Sequence, residues 1–287
     1  MAAIVELITI KSKNTSAISS ANNSINAMAY KCLMLTSSLD KVEQTNFFRN
    51  QWLNGSLVID HNLVIEDNCA AGWPEKPELV EFNKLPKRTV GSTKGHVSMM
   101  HSFAHIEFNA INIAWDAVYR FSDMPDQYYD DWSRIAQEEA YHFTLINDYL
   151  RTLGYEYGSF AAHGGLWEMV EETRHDVLVR MALVPRVLEA RGLDVTPDII
   201  KKFSHHGHKE AADILSIIYR DEIGHVEVGS RWFNYLCKKR KLDAHQTFVD
   251  LIERYAIDKI RQPFNDDARK QAGFSEKEME YLTQCTK

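Results

Sequence analysis

Cysteine is scarce in this sequence: four residues in 287, and Cys32, Cys69, Cys237 and Cys285 are far apart with no Cys-x-x-Cys pair among them. That spacing argues against a disulfide framework or a thiolate zinc site and fits a reducing compartment. Long apolar runs are also missing, and none approaches the ~18 residues that a membrane span needs. The first ten residues, MAAIVELITI, lack a basic region and are interrupted by Glu6. No signal peptide is therefore expected, and the cytoplasm is the expected location. A basic excess is absent as well. Lys and Arg total 33 against 40 Asp and Glu, a net charge of -7, which disfavours nucleic acid as a partner. The one dense basic run, KKRK at 238–241, falls near a predicted helix end. Cations suit the helix dipole there, so it reads first as a solvated cap and only second as a phosphate contact. What remains, 45% hydrophobic and 25% charged residues, is an ordinary globular composition.

Residues 11–24 are rich in Ser and Asn and are expected to be loose, and residues 27–54 are compatible with one or two helices. A short strand-like piece follows at Leu57, Val58 and Ile59. Gly72, Pro74, Pro77 and Pro86 then punctuate an extended wrap. From His96 onward the pattern becomes helical. A first long helix is expected over 94–121, broken by the Asp-Met-Pro-Asp turn at 123–126, and a second runs on to about 153. A third is expected over 166–191, ended by Gly192, with Thr196-Pro197 opening a short helix that stops near Gly207. The fourth covers 209–238, and the tail from Asp243 should add one more helix and an end segment. This predicts an all-α protein: residues 1–90 as an N-terminal extension, 91–240 as a four-helix bundle, and 241–287 as a C-terminal helical segment packed on it.

Three of the core-facing stripes carry charge at their middle. The first helix presents Met100, Phe103, Ala104, Glu107, Ile111, Ala114 and Val118 on one face. The second presents Tyr128, Trp132, Ile135, Glu139, His142, Ile146, Tyr149 and Leu153. The fourth presents Ala211, Leu215, Ile218, Glu222, His225, Gly229, Trp232 and Leu236. Unpaired buried carboxylates cost several kcal/mol, so something must compensate for them. Glu139 and His142, like Glu222 and His225, are three apart, so each pair shares a helix face with a ~4.5 Å rise. Each pair can reach one metal ion. Two such Glu-x-x-His pairs, with one Glu from each of the other two helices, make the helical di-metal carboxylate site.

The ligand from the third helix has two candidates. Glu189 lies 33 residues before Glu222, as Glu107 lies 32 before Glu139, so Glu189 makes the second half of the sequence repeat the first. Its rival is Glu172 with His175, a third Glu-x-x-His, which shows that one such pair is a weak signal. His175 and Glu189 are ~21 Å apart along a continuous helix and cannot serve one site; a kink at Pro185 would not close that distance. The repeat favours Glu189. Four glutamates also balance the charge of two divalent cations. Elsewhere, His205, His206 and His208 read as an exposed helix junction. His101 and His105 flank Glu107 off the stripe and read as supporting or packing residues, and Tyr219 reads as a core tyrosine one turn before Glu222.

At these residues the sequence resembles the ferritin-like superfamily, and more closely a bacterial ferritin-like family of unknown function. The resemblance covers roughly residues 75–285. It is carried by AHIEFNAINIAWDAVYRF, DDWSRIAQEEAYHF, RMALVPRVLEARGLDVTP, RDEIGHVEVGSRWF and PFNDDARKQAGFSE. It implies a ferritin-like four-helix bundle with two metal ions, iron before manganese, held by Glu107, Glu139, His142, Glu189, Glu222 and His225. More distantly, Leu188-Glu189-Ala190-Arg191 is similar to a stretch of the di-iron hydroxylases that oxidise the isopentenyl group of a modified tRNA adenosine. That similarity supports Glu189 without carrying over the substrate, because the chain is acidic. The expected activity is that of an O2-dependent oxidase or oxygenase acting on a small organic molecule, with an electron donor as partner. A tRNA-modifying hydroxylase and a ferroxidase are the alternatives. An apolar pocket beside the metals would favour the oxygenase, and Phe103, Phe108, Trp115, Tyr141, Phe143 and Trp232 supply material for one. No membrane partner is expected, and a homodimer is compatible with the sequence.

Overall fold

The structure, a computed structural model, describes residues 23–65, 70–85 and 89–286. The expected loose segment at 11–24 lies largely outside these residues, as do Cys69 and Pro86. The fold is all-α. Among the described residues the only β pairing is two isolated bridges, Ser24 with Val58 and Leu79 with Ala162. The strand-like piece at Leu57, Val58 and Ile59 therefore makes a single bridge and no strand. No helix among the described residues is long and apolar enough to cross a membrane.

The helices are α1 (Ile25–Met34), α2 (Ser38–Leu53), α3 (Thr93–Arg120), α4 (Asp126–Thr152), α5 (Gly165–Glu172) and α6 (Val177–Leu183). A π-helical turn, Val184–Glu189, leads into α7 (Ala190–His205). Then come α8 (Lys209–Arg240), α9 (Ala244–Tyr255), α10 (Asp266–Gln271) and α11 (Glu276–Cys285). The residues divide into two compact units. Of the described residues, those within 23–75 and 110–140 form one, and those within 76–109 and 141–286 form the other.

In the first unit, Ser24 and Ser37 cap α1 and α2 by accepting the backbone N–H of Ala27 and Asp40. Ile25, Met28, Ala29, Cys32 and Leu33 form the buried stripe of α1. Inside, Trp115 Nε1 donates to Thr45 Oγ1 at 2.9 Å, and Asn26 Nδ2 donates to the Val118 carbonyl at 3.0 Å. Lys41 is wholly buried. Its ammonium donates to the carbonyls of Leu33 (3.0 Å) and Gly72 (3.2 Å) and to Asn112 Oδ1. Burial pushes this ammonium down to about 8, so it still carries its charge at pH 7. Lys41→Met removes the donor to the Gly72 carbonyl and the Asn112 amide oxygen. Each buried acceptor left without a donor costs ~1–3 kcal/mol, so a loss of about 2–4 kcal/mol is expected in urea denaturation. An unchanged midpoint would mean that these oxygens need no donor.

In the second unit, α6, the π turn and α7 run along α8. α9 packs on α6 and α8, α10 on α7 and α8, and α11 on α9. Arg186, from the π turn, is fully buried in this packing. It pairs with Glu278 at 2.8 Å and lies 4.3–4.7 Å from the ring centroids of Phe233, Phe248 and Phe274.

The third long helix differs most from expectation. It breaks after Glu172 and restarts at Val177, capped by Asp176, which accepts Leu178 N–H and pairs with Arg240. Pro185 produces a π turn rather than a simple kink: it lacks an N–H, and its ring would clash with the carbonyl four residues back. Beyond it the helix passes through Gly192 and Pro197 to His205. A carbon added at Gly192 would meet nothing within 4 Å, so glycine there costs only its ~1 kcal/mol of propensity, which packing along α8 overrides. Pro197 cannot donate to the Leu193 carbonyl, and Asn265 Nδ2 takes that place at 3.2 Å. The tail, expected to hold one helix, holds three. Asn265 caps α10, and a Ser275–Glu278 capping box starts α11.

Candidate metal centre

The inward stripes of three long helices converge on one cluster. Glu107 of α3, Glu139 and His142 of α4 and Glu222 of α8 place one ligand atom each so that all lie within 4.8 Å of one another. Glu107, Glu139 and His142 are buried, and Glu222 is half-buried. His142 Nδ1 faces Glu107 Oε2 at 3.5 Å, while its Nε2 lies 3.2 Å from Asp221 Oδ2. Burial alone would raise the Asp221 carboxyl. Hydrogen bonds from Arg220 and His142 outweigh it and hold the group below its ordinary range. Asp221, at the shorter distance, can accept a proton held on Nε2, and that tautomer leaves the Nδ1 lone pair for a cation in the cluster. On α8, His225 Nδ1 lies 3.5 Å from Glu222 Oε1, and the two imidazoles are 5.8 Å apart.

The chemistry of this donor set fits a cation. Carboxylates this close repel one another by roughly 3–4 kcal/mol per pair at an effective dielectric of ~20, and a divalent ion reverses the sign of that term. Donor atoms 3.5 Å apart are compatible with ligands each ~2.0–2.2 Å from a shared ion. The cluster can hold a metal ion; imidazole and carboxylate donors do not by themselves choose which.

Two of the six expected ligands stand outside the four-member group. His225 is buried beside Glu222, as described. Glu189 is half-buried at the end of the π turn. Its rivals Glu172 and His175 are both exposed, with the His175 ring against Tyr255. The π turn is seated on α8 at Gly229, one turn beyond His225. A methyl group on Gly229 would come within 2.3 Å of Pro185 Cγ, part of a ring that cannot swing away. Gly229→Ala is therefore expected to cost about 1–3 kcal/mol by overpacking. It should also reduce metal content if Glu189 is a ligand. Thermal denaturation and elemental analysis read the two effects separately.

His105 and His101 serve as supports. Nδ1 of His105 meets the Tyr157 hydroxyl at 2.9 Å, its Nε2 meets the His163 carbonyl at 3.1 Å, and His101 Nε2 accepts Gly158 N–H at 2.9 Å. Tyr219 accepts a hydrogen bond from Asn265, 46 residues on. His205 and His206 are exposed as expected, but His208 stacks on the buried His96 at 3.9 Å. Of the aromatic residues expected to line a pocket, Phe108 and Phe143, which follow Glu107 and His142 in sequence, are buried and pack against each other and against the ring of Tyr157. Tyr141 is 51% exposed, Trp115 binds Thr45, and Trp232 meets Tyr235 edge to face.

Sequence reasoning missed Asp221 and Tyr157. Asp221 had a signal, since it immediately precedes Glu222, where its side chain leaves α8 about 100° away from that of the ligand. Tyr157 had none, lying in a loop outside every stripe.

Residues 35–280 match the family described as "Protein of unknown function (DUF455)". An uncharacterized protein of Haemophilus influenzae is 48% identical over 227 residues, covering 77% of this chain and 78% of that one. No solved structure matches the chain. A match over that length, with a relative at that identity, means that the chain belongs to the DUF455 family.

Proposed function

We propose that this protein is a ferritin-like di-metal carboxylate oxidoreductase, with two iron ions, or manganese as the alternative, bound within residues 91–240. The observation that carries this reading is the buried meeting of Glu107, Glu139, His142 and Glu222 on three long helices, with His142 oriented by Asp221. Glu189 and His225 complete the proposed ligand set. Bound iron would supply redox chemistry toward dioxygen, which points to an oxidase or oxygenase of a small organic substrate with a separate electron donor.

The chain's own residues do the rest. The carboxylates balance the cations, and His142 presents Nδ1 to them when Asp221 holds the proton on Nε2. Elemental analysis of protein from iron- and manganese-supplemented cells tests the reading. About two metal ions per chain are expected, with loss in both Glu139→Ala and Glu222→Ala. No stoichiometric metal in well-folded wild-type protein would overturn it. Iron together with substrate-dependent oxygen uptake would support an oxygenase. Iron uptake without organic turnover, on a very large particle, would instead support a ferroxidase.

A further inference from the structure

A groove of about 170 Å³ opens within the second unit, walled by Phe82, Leu85, Ile106 and Leu166, with Ser102 and His163 among its polar residues. Ser102, His105 and Ile106 lie at i, i+3 and i+4 on α3 and form a stripe of their own. His105 is two residues from Glu107, so their side chains leave the helix ~160° apart. The groove therefore lies on the flank of α3 turned away from the metal cluster.

Its hydrogen-bonding groups have defined directions. Gly165 N–H lies 3.0 Å from His163 Nδ1, and a backbone N–H can only donate. Nδ1 is thus the bare nitrogen, and the ring of His163, a residue of the groove wall, carries its proton on Nε2, the donor it has to offer. Ser102 Oγ donates to the Met99 carbonyl at 2.7 Å, which leaves its oxygen as an acceptor. One donor and one acceptor set in apolar walls complement a hydroxyl group, which can accept from the first and donate to the second. The size limits the remainder, because an apolar cavity of ~150 Å³ takes up one benzene ring.

We infer that this groove binds a neutral single-ring molecule carrying one hydroxyl group, at a site separate from the metal centre. Titration of the full chain with 4-fluorophenol, followed by 19F NMR, tests this, with fluorobenzene as the probe lacking the hydroxyl. Saturable binding of 4-fluorophenol is expected, about tenfold tighter than fluorobenzene. His163→Phe should remove that difference by weakening only the phenol, and Ile106→Trp should block both probes. Glu139→Ala should leave both unaffected. Failure of wild-type protein to saturate, equal binding of the phenol in the folded His163→Phe variant, or undiminished binding in Ile106→Trp would overturn the inference. So would loss of binding in Glu139→Ala, since it would place the phenol at the metal cluster. Ile106 is 44% exposed, so Ile106→Trp keeps the test open even if the His163 variant does not fold.

Discussion

Asp221→Ala is expected to weaken metal binding by about 10–100-fold, the usual effect of removing the carboxylate that orients a histidine ligand. The expectation follows from the two nitrogens of His142. One meets Asp221 at 3.2 Å and the other faces Glu107 at 3.5 Å. Without the carboxylate, the ring can carry its proton on Nδ1 or rotate, and either change removes a lone pair from the cluster. Stability should fall by about 1–3 kcal/mol, because the buried His142 ring loses its partner, whereas the exposed Arg220 pair contributes only about 0–1 kcal/mol. Asp221→Asn retains an accepting oxygen and should fall between the two. Competition for ferrous or manganous ion with a chelator gives the affinities, and thermal denaturation gives the control. Unchanged affinity in the alanine variant would remove His142 Nδ1 from the ligand set.

Arg186→Met should produce the largest loss of stability. The guanidinium is wholly buried, pairs with Glu278 and lies against three phenylalanine rings. Burial lowers its affinity for the proton, and Glu278 opposes that; arginine stays charged at any accessible pH. Removing it leaves the Glu278 carboxylate buried beside an apolar side chain, at a cost of about 3–5 kcal/mol. For a chain of this size that corresponds to a drop in Tm of roughly 10 °C. Adding Glu278→Leu should recover part of the loss, since an apolar pair avoids the uncompensated charge, less about 1 kcal/mol for the capping bonds that Glu278 accepts from Ser275. A single variant within a degree or two of wild type would show that the pair contributes little. Because Arg186 anchors the π turn that ends in Glu189, metal content should fall with stability if Glu189 is a ligand.

Periodicity made most of this architecture readable. The helices expected over 94–121 and 209–238 are observed as Thr93–Arg120 and Lys209–Arg240, because an amphipathic stripe of that length has one stable solution. The same stripes exposed the cluster. Glu107, Glu139, His142 and Glu222 each interrupt an apolar face, and that conflict between residue type and position is visible without coordinates. Where local rules failed, a distant residue had supplied what the local sequence lacked. Gly192 and Pro197 read as helix ends. The helix continues because α8 covers it and because Asn265, 72 residues away, donates to the Leu193 carbonyl that Pro197 cannot serve.

The sequence by itself determined the helical class, the three long charged stripes and which of their residues face inward, since these follow from spacing along one helix. Only the tertiary structure decided that Asp221 holds His142 across 79 residues, that Pro185 becomes a π turn seated on Gly229, and that Glu172 and His175 remain in solvent. Spacing fixes where a side chain points around its own axis. What it meets there depends on how the helices pack, and no local pattern encodes that.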